Sequence, residues 1–407
     1  MVKFSLRRLL SRRQFLTLGI SSATALTILS LGQLPALSWL IYPFKDRQSA
    51  NTNRQFKVVG SKSLRQRAKS KGLIYGAWPH VNSPLFDATA EMKSVFAREF
   101  GLVVTGFYWD AIRPSPSTFN FTEIDYFAKF AAENNMLMRG HPLVWTNALP
   151  AWIKPTLNRQ NVKQILTDHI KMVVGRYAGK MHSWDVVNEA IDIGSRPDNL
   201  TKNIWLELLG PDYIKVAFDI TARFDSKALL VYNETNLEHN EAQQVAVLKL
   251  LTQLKSQGTP VHALGIQSHL SGDRDYRNIP KFKKFLRDIA KLGLKIMITE
   301  LDVIDKDLPT DIKSRDRLIA GTYEDYLTTV LAEPAVIAII NWGFTDPHTW
   351  ISGYAPRKDG TDVRPLPFDR DLKPKLAWNA IARAIDLSPK RQPSKKLITN
   401  PRNGLTI

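Results

Sequence analysis

Glu189 and Glu300 each stand directly after a short apolar run, in Trp184-Asp185-Val186-Val187-Asn188-Glu189 and Ile298-Thr299-Glu300-Leu301-Asp302. Two carboxyl groups held about 5–5.5 Å apart over one sugar ring do the chemistry of a retaining glycosidase. One attacks the anomeric carbon. The other protonates the leaving oxygen and then activates water. The site must make them unequal, one ionised and one kept protonated by a raised pKa. Other polar groups end similar runs: Gly140-His141, Tyr232-Asn233-Glu234, Gln267-Ser268-His269 and Asn341-Trp342. His141, Glu189, His269 and Asp302 also suit a zinc ion in a barrel hydrolase. Against that reading, the chain has no His-x-His on the first run and no His-Glu-x-x-His helix, and His80 stands alone. No metal and no cofactor is expected.

These groups need rigid elements to aim them. Eight β-branched apolar runs recur: Leu73–Ala77, Leu102–Gly106, Met136–His141, His182–Asn188, Ala228–Asn233, Ala263–His269, Leu294–Glu300 and Val336–Trp342. Between them lie stretches of helical spacing, among them Val162–Tyr177, Tyr213–Phe224, Ala242–Lys255 and Pro280–Leu292, and Lys375–Ile385 supplies the last. Strands alternating with helices imply parallel βαβ units. The reading is an α/β fold, a single-domain (β/α)8 TIM barrel over residues 72–387. A doubly wound sheet competes, but no Gly-rich phosphate fingerprint follows the first run. In a barrel the strand ends share one mouth, which is where these carboxylates, imidazoles and amides fall.

The flanks read differently. Arg7, Arg8, Arg12 and Arg13 precede a stretch free of charge from Gln14 to Phe44. Ser11-Arg12-Arg13-Gln14-Phe15-Leu16 resembles a twin-arginine export address. Residues 1–44 are therefore expected to be that signal, or an uncleaved membrane anchor, and the mature protein periplasmic, extracellular or tethered. Residues 45–71 read as a basic linker and 388–407 as a disordered basic tail. The formal charge of +18 resides in these flanks. Residues 1–71 hold 14 Lys and Arg against one acid, and 388–407 hold five against none. The part between balances 37 basic against 37 acidic residues, so no nucleic-acid partner is expected. The absence of Cys excludes a thiol nucleophile and thiolate metal sites.

Several segments taken together carry a family resemblance over about residues 72–386. They are Arg139-Gly140-His141-Pro142-Leu143-Val144-Trp145, Trp184–Ala190, Gly265-Ile266-Gln267-Ser268-His269-Leu270, Ile298–Val303, and Trp342-Gly343-Phe344-Thr345-Asp346 with Trp350. The chain resembles the family-10 glycoside hydrolases, the endo-β-1,4-xylanases. The resemblance implies cleavage of β-1,4-linked polysaccharide, xylan by default, through a glycosyl-enzyme intermediate. A monomer is expected. It implies Glu189 as acid/base and Glu300 as nucleophile. It implies that Asn188 bonds the sugar 2-hydroxyl and that His269 holds the nucleophile, with Asp302 behind it. His141, Trp145 and Gln267 would line the sugar site, Trp342 and Trp350 would form an aromatic cage, and Asp185 would stand behind. Trp184 reads instead as core. The chain departs from the family where a Pro-Glu-Asn-x-x-Lys-Trp segment normally grips the next sugar outward. Here the stretch is Val103-Val104-Thr105-Gly106-Phe107-Tyr108-Trp109, and Thr146-Asn147-Ala148 replaces a His-Ser-Gln. Other β-glycanases, or a carbohydrate-binding barrel without catalysis, are the competing readings.

Overall fold

The computed structural model describes residues 54–79 and 89–391. The export segment, His80 and residues 392–407 lie outside them. Nine strand segments are present: β1 (Ile74–Ala77), β2 (Leu102–Gly106), β3 (Leu137–His141), β4 (Ser183–Asn188), β5 (Leu229–Glu234), β6 (Ala263–Ile266), β7 (His269–Ser271), β8 (Lys295–Ile304) and β9 (Val336–Asn341). All pair in parallel. β1 pairs with β9, and β6 pairs with β8, so the sheet closes on itself. β7 is the continuation of β6, split from it at Gln267-Ser268, and pairs with the far half of β8. The nine segments thus make eight staves. The sixth run breaks because Ser268 takes a left-handed backbone, φ +65°. Apolar periodicity does not register such a kink.

Helices cover the outside: α1 (Leu64–Ser70), α2 (Ala90–Glu99), α3 (Thr122–Glu133), α4 (Val162–Arg176), α5 (Tyr213–Phe224), α6 (Glu241–Ser256), α7 (Pro280–Lys291), α8 (Ile312–Leu331) and α9 (Leu376–Leu387). From α2 on, each follows a stave in turn. Their starts are chemically marked. Thr89 and Asn240 cap α2 and α6 through side-chain oxygens, and Pro280 opens α7. Strands covered on both sides become continuous apolar runs. Leu102, Val104, Val231, Ala263, Met297, Ala338 and Ile340 join in one buried cluster. Gly140 has a specific task in this packing. A Cβ there would lie 2.4 Å from the Trp184 ring, which is fully buried and donates its indole N–H to Asp225 at 3.1 Å.

Two boundaries need correction. The linker reading of 45–71 does not hold from Gln55 onward, where the chain belongs to the barrel unit. Ser63 caps α1 in a reciprocal box with Gln66, and Phe56, Leu64, Arg67 and Ala68 are buried. Arg67 escapes the cost of burial by pairing with Asp386 and donating to the carbonyls of Val59 and Gly60. A basic composition conceals these few anchors. Residues 388–391, expected in the tail, are part of the barrel. Arg391 is buried and donates to the carbonyls of Val336 and Leu331.

If α1 is part of the fold, removing its cap has a cost. Ser63→Ala should lower unfolding free energy by about 1 kcal/mol in urea titrations, and a linker residue would give no change.

Candidate functional site

Glu189 follows β4, and Glu300 lies inside β8. Both strands are irregular at these places. Along β8 the register slips between Ile298 and Leu301 against β9, and along β4 between Asp185 and Val187 against β5. Such extra residues re-aim side chains next to functional sites. Glu189 itself has φ +54°, a left-handed backbone rare outside glycine. The local strain turns its carboxyl out of the strand direction.

Glu300 is almost wholly buried. Asn233 Nδ2 donates to its Oε1 at 2.7 Å, and His269 Nε2 lies 3.3 Å from its Oε2. Burial pushes this carboxyl up. The His269 hydrogen bond and the charges of His141, His269 and Arg139 more than reverse that and hold it below the ordinary value. His269 Nδ1 meets Asp302 Oδ1 at 3.0 Å, and Trp350 donates its indole N–H to Asp302 Oδ2 at 2.8 Å. Burial disfavours the imidazolium, yet Asp302 and Glu300 push His269 up to about 10. Burial raises Asp302, against the pull of the His269 charge and of the hydrogen bonds from His269 and Trp350.

Glu189 is half-buried. Gln267 Nε2 donates to one oxygen at 2.8 Å and the Trp145 indole to the other at 2.9 Å. Amides connect it to Glu300. Asn233 Nδ2 donates both to Glu300 and, at 2.9 Å, to Asn188 Oδ1, which Gln267 Nε2 also approaches at 3.4 Å. The two carboxylates therefore occupy one mouth, at opposite ends of a short chain of three amides. Beneath it, Asp185 binds His141 Nδ1 at 2.7 Å and pairs with the buried Arg139. Trp342 packs beside His141 at 5.2 Å between ring centroids, and Trp350 beside His269 at 4.7 Å.

All the expected site residues converge, and the structure adds others. Asn233 and Glu234 end β5, as the sequence shows, but only the fold reveals that Asn233 bridges the centre. Glu234 is buried; burial first, and then Glu189, push it up to about 8. Arg139, Trp78 and Tyr108 are further additions. Among the described residues no three His, Asp or Glu side chains are grouped to hold a metal ion.

Residues 63–384 match the model of glycosyl hydrolase family 10. The chain belongs to this family. Family-10 glycosyl hydrolases are retaining glycosidases. Endo-1,4-beta-xylanase B of Thermotoga neapolitana is 34% identical over 308 residues, 74% of this chain and 84% of that protein. Endo-1,4-beta-xylanase 1 of Humicola insolens is 32% identical over 294 residues, 71% of this chain and 66% of that protein. Among solved structures, xylanase 10B of Thermotoga petrophila RKU-1 in complex with xylobiose superposes with a TM-score of 0.72 at 33% identity, covering 81% of this chain and 99% of that one. Native xylanase 10B of Thermotoga maritima gives 0.71 at 34%, covering 80% and 98%.

The family-10 site carries a charge signature that titration can read. A group raised on folding stabilises the fold fully below its unfolded pKa, about 6.5 for His, and loses that contribution as pH rises through its folded value. For His269 the folded value is about 10. His269→Asn should therefore destabilise most below pH about 6.5, with the deficit shrinking toward pH about 10 in urea titrations across pH. The same change removes the partner that keeps Glu300 ionised, so the acid limb of kcat/KM should move to higher pH.

Proposed function

We propose that this chain is an exported, monomeric endo-β-1,4-xylanase that cleaves xylan by double displacement. The observation that carries the reading is the amide-bridged pair of Glu189 and Glu300 at one barrel mouth, one carboxylate buried and held ionised, the other half-buried at the rim. Glu300 is the nucleophile. Its charge is stabilised by Asn233 and His269, and Asp302 and Trp350 fix the imidazole. Glu189 is the acid/base, placed by Trp145 and Gln267. Asn188 receives hydrogen bonds on its Oδ1, which leaves its amide N–H groups to meet the sugar 2-hydroxyl. His141, oriented by Asp185, lines the sugar site with Trp145 and Gln267. Trp342 and Trp350 offer indole faces to the apolar faces of the sugar. In this water-poor setting fixed charges and dipoles stabilise an oxocarbenium-like state strongly. The names of the Thermotoga and Humicola relatives support xylan as the substrate. The Arg12-Arg13 segment supports export by the twin-arginine route, with membrane contact only through the N-terminal segment if it is not cleaved.

Variants at the two glutamates separate the roles. Glu300→Ala should abolish turnover of aryl β-xylosides, and added azide should restore it with an α-glycosyl azide as product; an absence of rescue removes Glu300 from this role. Glu189→Ala should lose about 100- to 10,000-fold on poor leaving groups and far less on good ones. Equal losses on both would dismiss Glu189 as the acid. Replacing Arg12 and Arg13 by Lys should leave the protein in the cytoplasm on fractionation, whereas continued export would exclude the twin-arginine route.

A further inference from the structure

The rim beyond β2 carries a feature that none of the assigned roles uses. Gly106 ends this strand. A Cβ there would lie 3.0 Å from Trp78 Cη2 and 3.2 Å from Tyr108 Cε2, so glycine lets both rings close over the strand end. Tyr108 then sits at the centre of an aromatic corner. Its ring centroid is 5.8 Å from Trp145, 5.9 Å from His141 and 5.9 Å from Trp78. Trp78 in turn lies 4.3 Å from Trp342. Three of these neighbours, His141, Trp145 and Trp342, already belong to the sugar site.

The phenol is the unusual part. Other tyrosines packed into this barrel have answered hydroxyls: Tyr75 donates to Asn341 at 2.6 Å, Tyr177 to Asp125 at 2.8 Å and Tyr323 to the Pro365 carbonyl at 2.7 Å. The Tyr108 hydroxyl bonds to no described residue, and it is not sealed inside the protein. It also feels both site carboxylates. Burial, then Glu300 and Glu189, followed by Asp110 and Asp185, push the phenol well above its ordinary value. It is therefore a neutral donor, held next to the reacting groups with no described residue to donate to.

We infer that Tyr108 is a substrate-contacting residue, its hydroxyl donating to a hydroxyl of the sugar at the cleavage point while its ring, with Trp78 and Trp145, walls that side of the mouth. The inference rests on the glycosidase reading and adds a determinant of substrate choice. Where the family resemblance leads one to expect Glu, Asn and Lys, this chain has Val104, Thr105 and Tyr108, none of them ionised. Binding there depends on ring contact and one neutral hydrogen bond. A neutral, unbranched β-linked sugar fits such a wall. A glycone bearing a carboxylate finds no cation among Trp78, Tyr108 and Trp145.

Tyr108→Phe keeps the ring and removes the donor. On an aryl β-xylobioside, kcat/KM should fall about tenfold with an unchanged melting temperature. The loss should vanish on one of the matched monodeoxy aryl glycosides, the one lacking the hydroxyl that Tyr108 meets. A kcat/KM within twofold of the parent on every substrate overturns the inference. So does the same loss on every deoxy analogue, which would mark a structural role. Calorimetric binding of xylotriose and cellotriose to Glu189→Gln, with and without Tyr108→Phe, repeats the comparison without turnover; unchanged binding of both again overturns it. If the parent cleaves aryl cellobiosides and ignores xylobiosides, the xylan reading fails while the Tyr108 loss is still read on the cellobioside.

Discussion

A single amide nitrogen, Asn233 Nδ2, serves both the Glu300 carboxylate and Asn188 Oδ1. A buried carboxylate is costly unless it is met by donors and by opposite charge. Here the donor comes from β5 and the charge from His269 on β7, two neighbouring staves of a closed sheet. The amide cannot turn over, because Thr299 Oγ1 donates to Asn233 Oδ1 at 2.7 Å. Room for it comes from Gly265, where a Cβ would fall 2.2 Å from that same oxygen. Position and ionisation of Glu300 thus follow from one interlocked group of side chains, and Asn188 is fixed by the same atom.

The rest of the barrel makes that interaction affordable. The strands are mainly apolar along their length, and the ion pair they do carry inside, Arg139 with Asp185, lies directly beneath the mouth and orients His141 there. At that rim the backbone abandons regularity. The register slips in β4 and β8, together with the left-handed residues Glu189 and Ser268, lie within the two strands bearing glutamates or beside them. Strained backbone persists where its surroundings over-determine it, and it clusters where groups must be aimed.

Much of this was legible in the residues. The eight staves follow from β-branched runs of the right length, and the mouth from what stands at their ends. Glu189, Glu300, His269 and Asp302 were legible because carboxylates and an imidazole directly after apolar runs have few structural uses. Asn233 was seen but not assigned, since an amide's role depends on which two neighbours it bridges, and that is a property of closure. The split between β6 and β7 escaped because Ser268 carries no mark of its positive φ. The segment before β1 escaped for another reason. Its many basic residues suggest solvent, yet Arg67 is buried through specific pairing, and Leu64 and Ala68 are buried beside it in a helix of seven residues.

The fastening of Arg391 reaches beyond stability. Its backbone N–H donates to the carbonyl of Lys71 at 2.8 Å, while its guanidinium grips the start of β9. The end of α1 and the start of β9 are thereby fastened to Arg391 on the floor of the barrel, the whole strand length away from the glutamates. A load entering the barrel at this corner is therefore borne on the floor, and the cleft at the far end of the strands is shielded from it.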